Sequence, residues 1–146
     1  MPLPALPERA IVIGARVRDW RAAVTRAGDA LQRAGVTRAS YTQRMVRTVE
    51  DHGAYIVIAP GLALAHARPG RDVLTEGLSV VTLAEPVSFG HPYNDPVRVV
   101  LGLAVRSPER HISAVAELAN VFNDESVIAS IAAAERPADV RALLRS

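Results

Sequence analysis

The residues with the strongest chemical potential are His66 and Arg68, in the run Leu62-Ala-Leu-Ala-His-Ala-Arg-Pro69, and His111, in Arg110-His111-Ile112. A neutral imidazole is a nucleophile, and its ordinary pKa leaves much of it neutral near pH 7. It can attack phosphorus, ligate a metal or act as a base. A metal site needs partners, yet the chain has no cysteine, no His-x-x-x-His pair and no His-Glu-x-x-His pair. A hydrolase triad needs a nucleophile elbow, and no Gly-x-Ser-x-Gly is present. What remains is a histidine flanked by Ala65 and Ala67, small enough to let a bulky anion approach, with a guanidinium two residues on. That arrangement suits a phosphorylatable His66 with Arg68 as its phosphate partner. The competing reading is a partly buried histidine bonded to a backbone carbonyl.

The elements that must hold His66 are short and apolar. Tyr55-Ile56-Val57-Ile58 reads as a buried strand, and Pro60-Gly61 breaks it. Leu62-Ala63-Leu64 follows and delivers His66 at a strand end, where Arg68 and Pro69 stop any regular element. A strand fixes the ring and a loop leaves it reachable. Around this stretch, Ala10 to Ile13 predicts a first strand. Residues 19–34 carry apolar side chains at helical spacing, with Gly35 placed to end the helix. Thr37 or Ser40 is expected to cap the next helix, which buries Tyr41, Met45 and Val49 and stops by Gly53. Gly77 to Leu83 predicts a strand, and Val97 to Val105 a central one. Ser107-Pro108-Glu109 opens a helix to about Phe122. Asp124-Glu125 opens a short helix through Ala134, and Pro137 a last one through Leu144. Strands alternating with helices predict a single-domain α/β sandwich with helices packed on a sheet.

Composition narrows the function. The 146 residues suffice for one domain with a real core. A 49% hydrophobic and 22% charged composition is ordinary for a globular protein. The net charge of +2, without a dense basic run, argues against nucleic acid as a partner. No apolar run is long enough to span a bilayer, and a cytoplasmic protein is expected. Residues 1–9, rich in proline, are expected to form a loose N-terminal tail before a domain over 10–146.

The run from Tyr55 to Pro69 resembles the active-site signature of the IIA component of the bacterial sugar phosphotransferase system (PTS), in the mannitol/fructose superfamily, and is most similar to the ascorbate-type IIA proteins. The resemblance extends through Trp20 to Ala23, Tyr41 to Glu50, Pro86 to Gly90, Asn94 to Val97 and Arg110 to Ile112, and so covers nearly the whole chain. It implies the mannitol-type IIA fold, a central mixed β-sheet flanked by helices, over residues 10–146 as an EIIA type-2 domain. It also implies that His66 takes a phosphoryl group from the phosphocarrier protein HPr and passes it to a cysteine of a IIB partner. The membrane component IIC would then be served indirectly. No cofactor or metal is required for that step. One departure stands out: the family has proline immediately before the active histidine, and this chain has Ala65. The change frees φ and restores an amide, which predicts a softer loop.

In the family a second histidine at the position of His111 sits beside the active one and helps hold the phosphoryl group. The first turn of the helix opened by Ser107 is a natural anion site, although the dipole there should lower the pKa of His111. The alternative for His111 is a surface or capping role. Related proteins use an arginine in the helix before the signature. Arg47 is the nearest candidate, but its spacing to His66 fits only with a gap, Thr48 or Glu50 competes for the place, and a solvated arginine is the simpler reading. Asp95 reads as a turn residue capping amides, with orientation of a histidine as its alternative. His52 and His91 read as loop residues, and Tyr55 and Phe89 as core. Two other functions share these features: a regulatory IIA-like phosphoprotein that signals through partner binding, and a binding module in which His66 is never phosphorylated.

Overall fold

The structure is a computed structural model that describes residues 3–145. Five strands form one mixed sheet: β1 (Ile11–Ala15), β2 (Val57–Ala59), β3 (Leu62–His66), β4 (Gly77–Val87) and β5 (Val97–Ala104), in the order β1-β4-β5-β3-β2. The most apolar run takes the centre. Val97, Val99, Val100, Leu101, Leu103 and Ala104 of β5 are all fully buried, as a strand covered on both faces requires. β4 lies antiparallel to β5, whereas β3 lies parallel to it.

Helices cover both faces. α1 (Trp20–Arg33) and α2 (Ala39–His52) pack on one side, with Ala63, Ala65 and Ala67 of the β3 segment against Tyr41 and Met45. On the other side α3 (Pro108–Phe122), α4 (Glu125–Ala132) and α5 (Pro137–Arg145) cover Leu62 and Leu64. The pleat therefore sorts β3 by residue size: alanines towards α1 and α2, leucines towards α3. The α1 start is capped by the Asp19 side chain, which accepts from the Ala22 amide, and Gly35 follows the helix at φ 79°. Ser107 caps α3 by accepting from the Arg110 amide, with Pro108 in the first turn. This is the α/β sandwich with a central mixed sheet that the sequence predicts. No helix among the described residues is long and apolar enough to cross a membrane.

Four local expectations are corrected. Tyr55 to Ile58 is not one buried strand. Gly53, at φ 78°, ends α2, and a single 3-10 turn over Ala54–Ile56 carries the chain into the three-residue edge strand β2. Tyr55 and Ile58 are exposed as a result. Neither Thr37 nor Ser40 caps α2: Arg38 holds that position without a side-chain bond. Thr37 pairs in an isolated bridge with Val73, and the Ser40 hydroxyl donates to Asp72 at 3.0 Å. The loose tail expected for 1–9 is docked over its described part, because Leu3 and Leu6 pack on the α3–α5 side and the Leu78 amide donates to the Ala5 carbonyl at 2.8 Å. Met1 and Pro2 lie outside the described residues. Ala65 sits within β3, fully buried and opposite Gly102, so the strand ladder holds the φ that the missing proline ring frees.

Candidate active site

Parallel pairing creates the site. β3 and β5 run in register from Leu62↔Val99 to His66↔Leu103, so their carboxyl ends finish side by side. β3 ends on His66. β5 leads at once into α3, whose first turn carries His111. The pleat that sends Leu62 and Leu64 towards α3 sends His66 the same way. The two imidazoles meet with ring centroids 4.9 Å apart and planes at 44°. Crevices at the carboxyl ends of parallel strands are where α/β sheets commonly bind ligands.

The hydrogen bonds of His66 define its tautomer. Nδ1 lies 3.0 Å from the Leu64 carbonyl oxygen, which can only accept, so Nδ1 carries the proton. Nε2 is then a lone pair, and the Tyr55 hydroxyl, 3.1 Å away, donates to it. Burial holds His66 below the ordinary histidine range; the Leu64 carbonyl acts in the opposite sense and His111 adds to the lowering. His111 is lowered as well, by partial burial. Both shifts favour the neutral ring, and His66 then presents its unprotonated Nε2. Tyr55, read as core from the sequence, is instead half-exposed at the reactive atom, and no sequence signal marks it: its position depends on the 3-10 turn after Gly53.

An open cleft surrounds the pair, and three arginines reach it. Arg44, Arg47, Thr48 and Asp51 of α2 face it at helical spacing, next to the stripe that buries Tyr41, Met45 and Val49. Arg44, which the sequence reading passed over, is paired to Asp72 through Nε at 2.9 Å and Nη2 at 2.6 Å. That pairing, ahead of burial, holds the Asp72 carboxyl below the usual range, with Ser40 helping. Arg47 and Arg68 are exposed and make no ion pair among the described residues. Glu50 is turned away to Arg21. A flat apolar surface is expected around His66; what surrounds it is an arginine-rimmed cleft with exposed Tyr55 and Ile112 as its apolar patches. Beneath it the Tyr41 hydroxyl donates to the Leu103 carbonyl at 2.6 Å and accepts from the Ala67 amide at 3.0 Å.

The remaining candidates lie elsewhere or serve structure. Asp95 accepts from the amides of Phe89, Gly90 and His91 and from the Ser88 hydroxyl, so it caps a turn and orients no histidine. His91 accepts from the Tyr93 and Asn94 amides through Nδ1. Phe89 is buried and stacks obliquely on Trp20. His52 is the last residue of α2 rather than a loop residue, and its ring stands edge-on to Tyr55 at 84°. Among the described residues no group of three or more His, Cys, Asp or Glu could hold a metal ion.

A mixed sheet presenting a histidine pair in an arginine-rimmed cleft defines a domain fit for phosphoryl chemistry. Residues 5–146 match the family described as phosphoenolpyruvate-dependent sugar phosphotransferase system, EIIA 2. The match takes in part of the N-terminal segment expected to lie outside the domain. The chain is 36% identical over 118 residues to the ascorbate-specific PTS system EIIA component of Shigella boydii serotype 4, covering 80% of this chain and 77% of that protein. The crystal structure of IIA mannitol from Escherichia coli superposes with a TM-score of 0.84 at 29% identity, over 96% of this chain and 99% of the other. IIA mannitol in complex with phosphorylated enzyme IIB mannitol, also from Escherichia coli, gives a TM-score of 0.84 at 28% identity, covering 96% of each chain. The chain belongs to the EIIA 2 family, and is a phosphoryl-transfer component of the sugar phosphotransferase system.

Proposed function

We propose that His66 accepts a phosphoryl group from the phosphohistidine of HPr and passes it to a cysteine of a IIB partner, in the uptake of an ascorbate-like sugar acid. One observation carries the reading: Nδ1 of His66 is committed to the Leu64 carbonyl, so the only lone pair of the ring is at Nε2, inside the cleft and beside His111. In transfer, Nε2 attacks phosphorus in line as the donor N–P bond breaks, and that bond's electron pair returns to the donor nitrogen. Nδ1 keeps its proton, so the ring becomes cationic next to the phosphoryl dianion, and the Leu64 carbonyl stabilises that cation. His111 donates to phosphoryl oxygens once the group is in place. Arg68 and, less directly, Arg47 complete the charge balance, because both are unpaired at the rim. The reverse sequence delivers the group to the IIB thiolate. The absence of cysteine from this chain agrees with an acceptor on another protein. The ascorbate assignment rests on the names of the curated relatives, and the IIB partner on the mannitol complex.

The test is phosphoryl transfer to the purified chain with phosphoenolpyruvate, enzyme I and HPr, followed as an acid-labile mass gain. Wild type is expected to gain the group, His66→Ala to gain none while remaining folded, and His111→Ala to gain it slowly. Added IIB should discharge the labelled protein. A folded wild type that stays unlabelled with its cognate donor overturns the reading.

A further inference from the structure

Tyr55 occupies the very lone pair that phosphoryl transfer requires. Its hydroxyl oxygen is 3.1 Å from Nε2, and its ring stands edge-on to the imidazole at 85° with centroids 5.8 Å apart. Among the described residues that hydroxyl makes no second hydrogen bond. The residue is 50% exposed and sits on a 3-10 turn outside the sheet, with the His52 and His66 rings edge-on to its own, so turning the hydroxyl away from Nε2 breaks no hydrogen bond of the sheet. A phenol proton and a phosphorus atom cannot share one lone pair. Burial pushes the Tyr55 phenol above its ordinary range, so it stays a donor at neutral pH.

The geometry points to Tyr55 as a positioning residue that caps Nε2 of His66 between transfers: its O–H donates to the lone pair, keeps a solvent proton off that nitrogen, and turns out when the phosphoryl donor docks. The inference rests on His66 being the accepting histidine. No proton passes between the two residues at any step. Tyr55 leaves with its own hydrogen, Nε2 bonds to phosphorus, and Nδ1 stays protonated on Leu64. The charged and titratable groups facing this position are Arg44, Arg47, Asp51 and His52 from α2, Arg68 from the segment after β3, and His111 from α3. A Tyr55→Phe substitution leaves all of these groups in place.

The experiment uses the full chain and Tyr55→Phe, with folding checked by circular dichroism. The His66 ring nitrogens are followed by 15N NMR across pH, and the rate of phosphorylation from phospho-HPr is measured over the same range. A hydrogen bond donated to the neutral ring favours that form. Tyr55→Phe should therefore raise the pH at which His66 protonates, move the Nε2 signal towards that of an unbonded ring nitrogen, and carry the acid limb of the rate profile to higher pH. Above that limb the variant should match wild type or exceed it by up to about fivefold, the worth of one neutral hydrogen bond that no longer has to be broken. An unmoved His66 titration overturns the cap. So does a uniform slowing at every pH, because that places the hydroxyl on the phosphoryl group instead. An unlabelled wild type overturns both the cap and the transfer role, whereas a labelled His66 with an unmoved titration overturns the cap alone.

Discussion

The Tyr41 hydroxyl accepts a hydrogen bond from the Ala67 amide at 3.0 Å, one residue beyond His66, and hands its own proton to the Leu103 carbonyl on the neighbouring strand. It is a rivet where β3 leaves β5. Burial pushes the phenol up to about 12, against the Ala67 contact, so it stays protonated and keeps donating. Tyr41→Phe keeps the ring and strands an amide and a carbonyl in the core. The expected cost is about 1–3 kcal/mol, read from urea denaturation, together with slower phosphorylation as the end of β3 loosens.

Acid should destabilise the fold through the histidine pair. Both rings sit below the ordinary range in the folded state, mainly through burial. The unfolded chain, with histidines near about 6.5, takes up protons first as pH falls, so stability is full above that value and is lost on descending towards the lowered folded pKa values. The melting temperature should begin to drop as pH falls through about 6.5, and the drop should shrink in the His66→Ala, His111→Ala double variant. An equal drop in the double variant would assign the acid sensitivity to other groups.

Asp72 ties the segment after His66 back to α2, and its partner Arg44 faces the cleft. Its carboxyl, held low chiefly by Arg44, lends stability above the ordinary carboxylate range and loses it as pH falls through the lowered value. Asp72→Asn should cost about 1–2 kcal/mol, since Arg44 is partly solvated, and should free a third guanidinium in the cleft. Tighter retention of inorganic phosphate, measured by 31P line broadening, checks the second effect.

Gly102 lies opposite Ala65 in the central strand, where a Cβ would land on the Ser79 hydroxyl, which donates to the Ala27 carbonyl of α1. Gly102→Ala should lift α1 from the sheet at a cost of about 1–3 kcal/mol. Thermal melts would show it, and an unchanged melting temperature would mean that α1 shifts freely.

Much of this was legible in the chain because local chemistry and tertiary context agree. Ser107 caps the helix it was expected to cap, Gly35 follows the helix it was expected to end, and the long apolar run Val97 to Val105 supplies the strand buried on both faces. His66 at the end of a strand and His111 in a first turn were readable from punctuation by Pro60-Gly61 and Ser107-Pro108. The misses share a cause. Tyr55 looked like core because a β-rich run was read as one element, whereas the positive φ of Gly53 forces a turn first. Ser40 looked like a cap until Asp72, distant in sequence, claimed its hydroxyl. Arg44 had no local distinction, since its place in the cleft depends on how α2 docks against β3. Local punctuation reports where elements begin; it does not report which side chains a distant segment will capture.

The parallel β3–β5 pairing also sets when the site comes into being. His66 leaves the ribosome well before β5 and α3, and β4 must be laid down on the far side of β5 before the pair can close. Such non-local closure comes late in folding. A nascent or half-folded chain would thus display its nucleophile without the second imidazole, the strand rivet or the capping ladder. The site is therefore a product of completed folding rather than of any one segment of the chain.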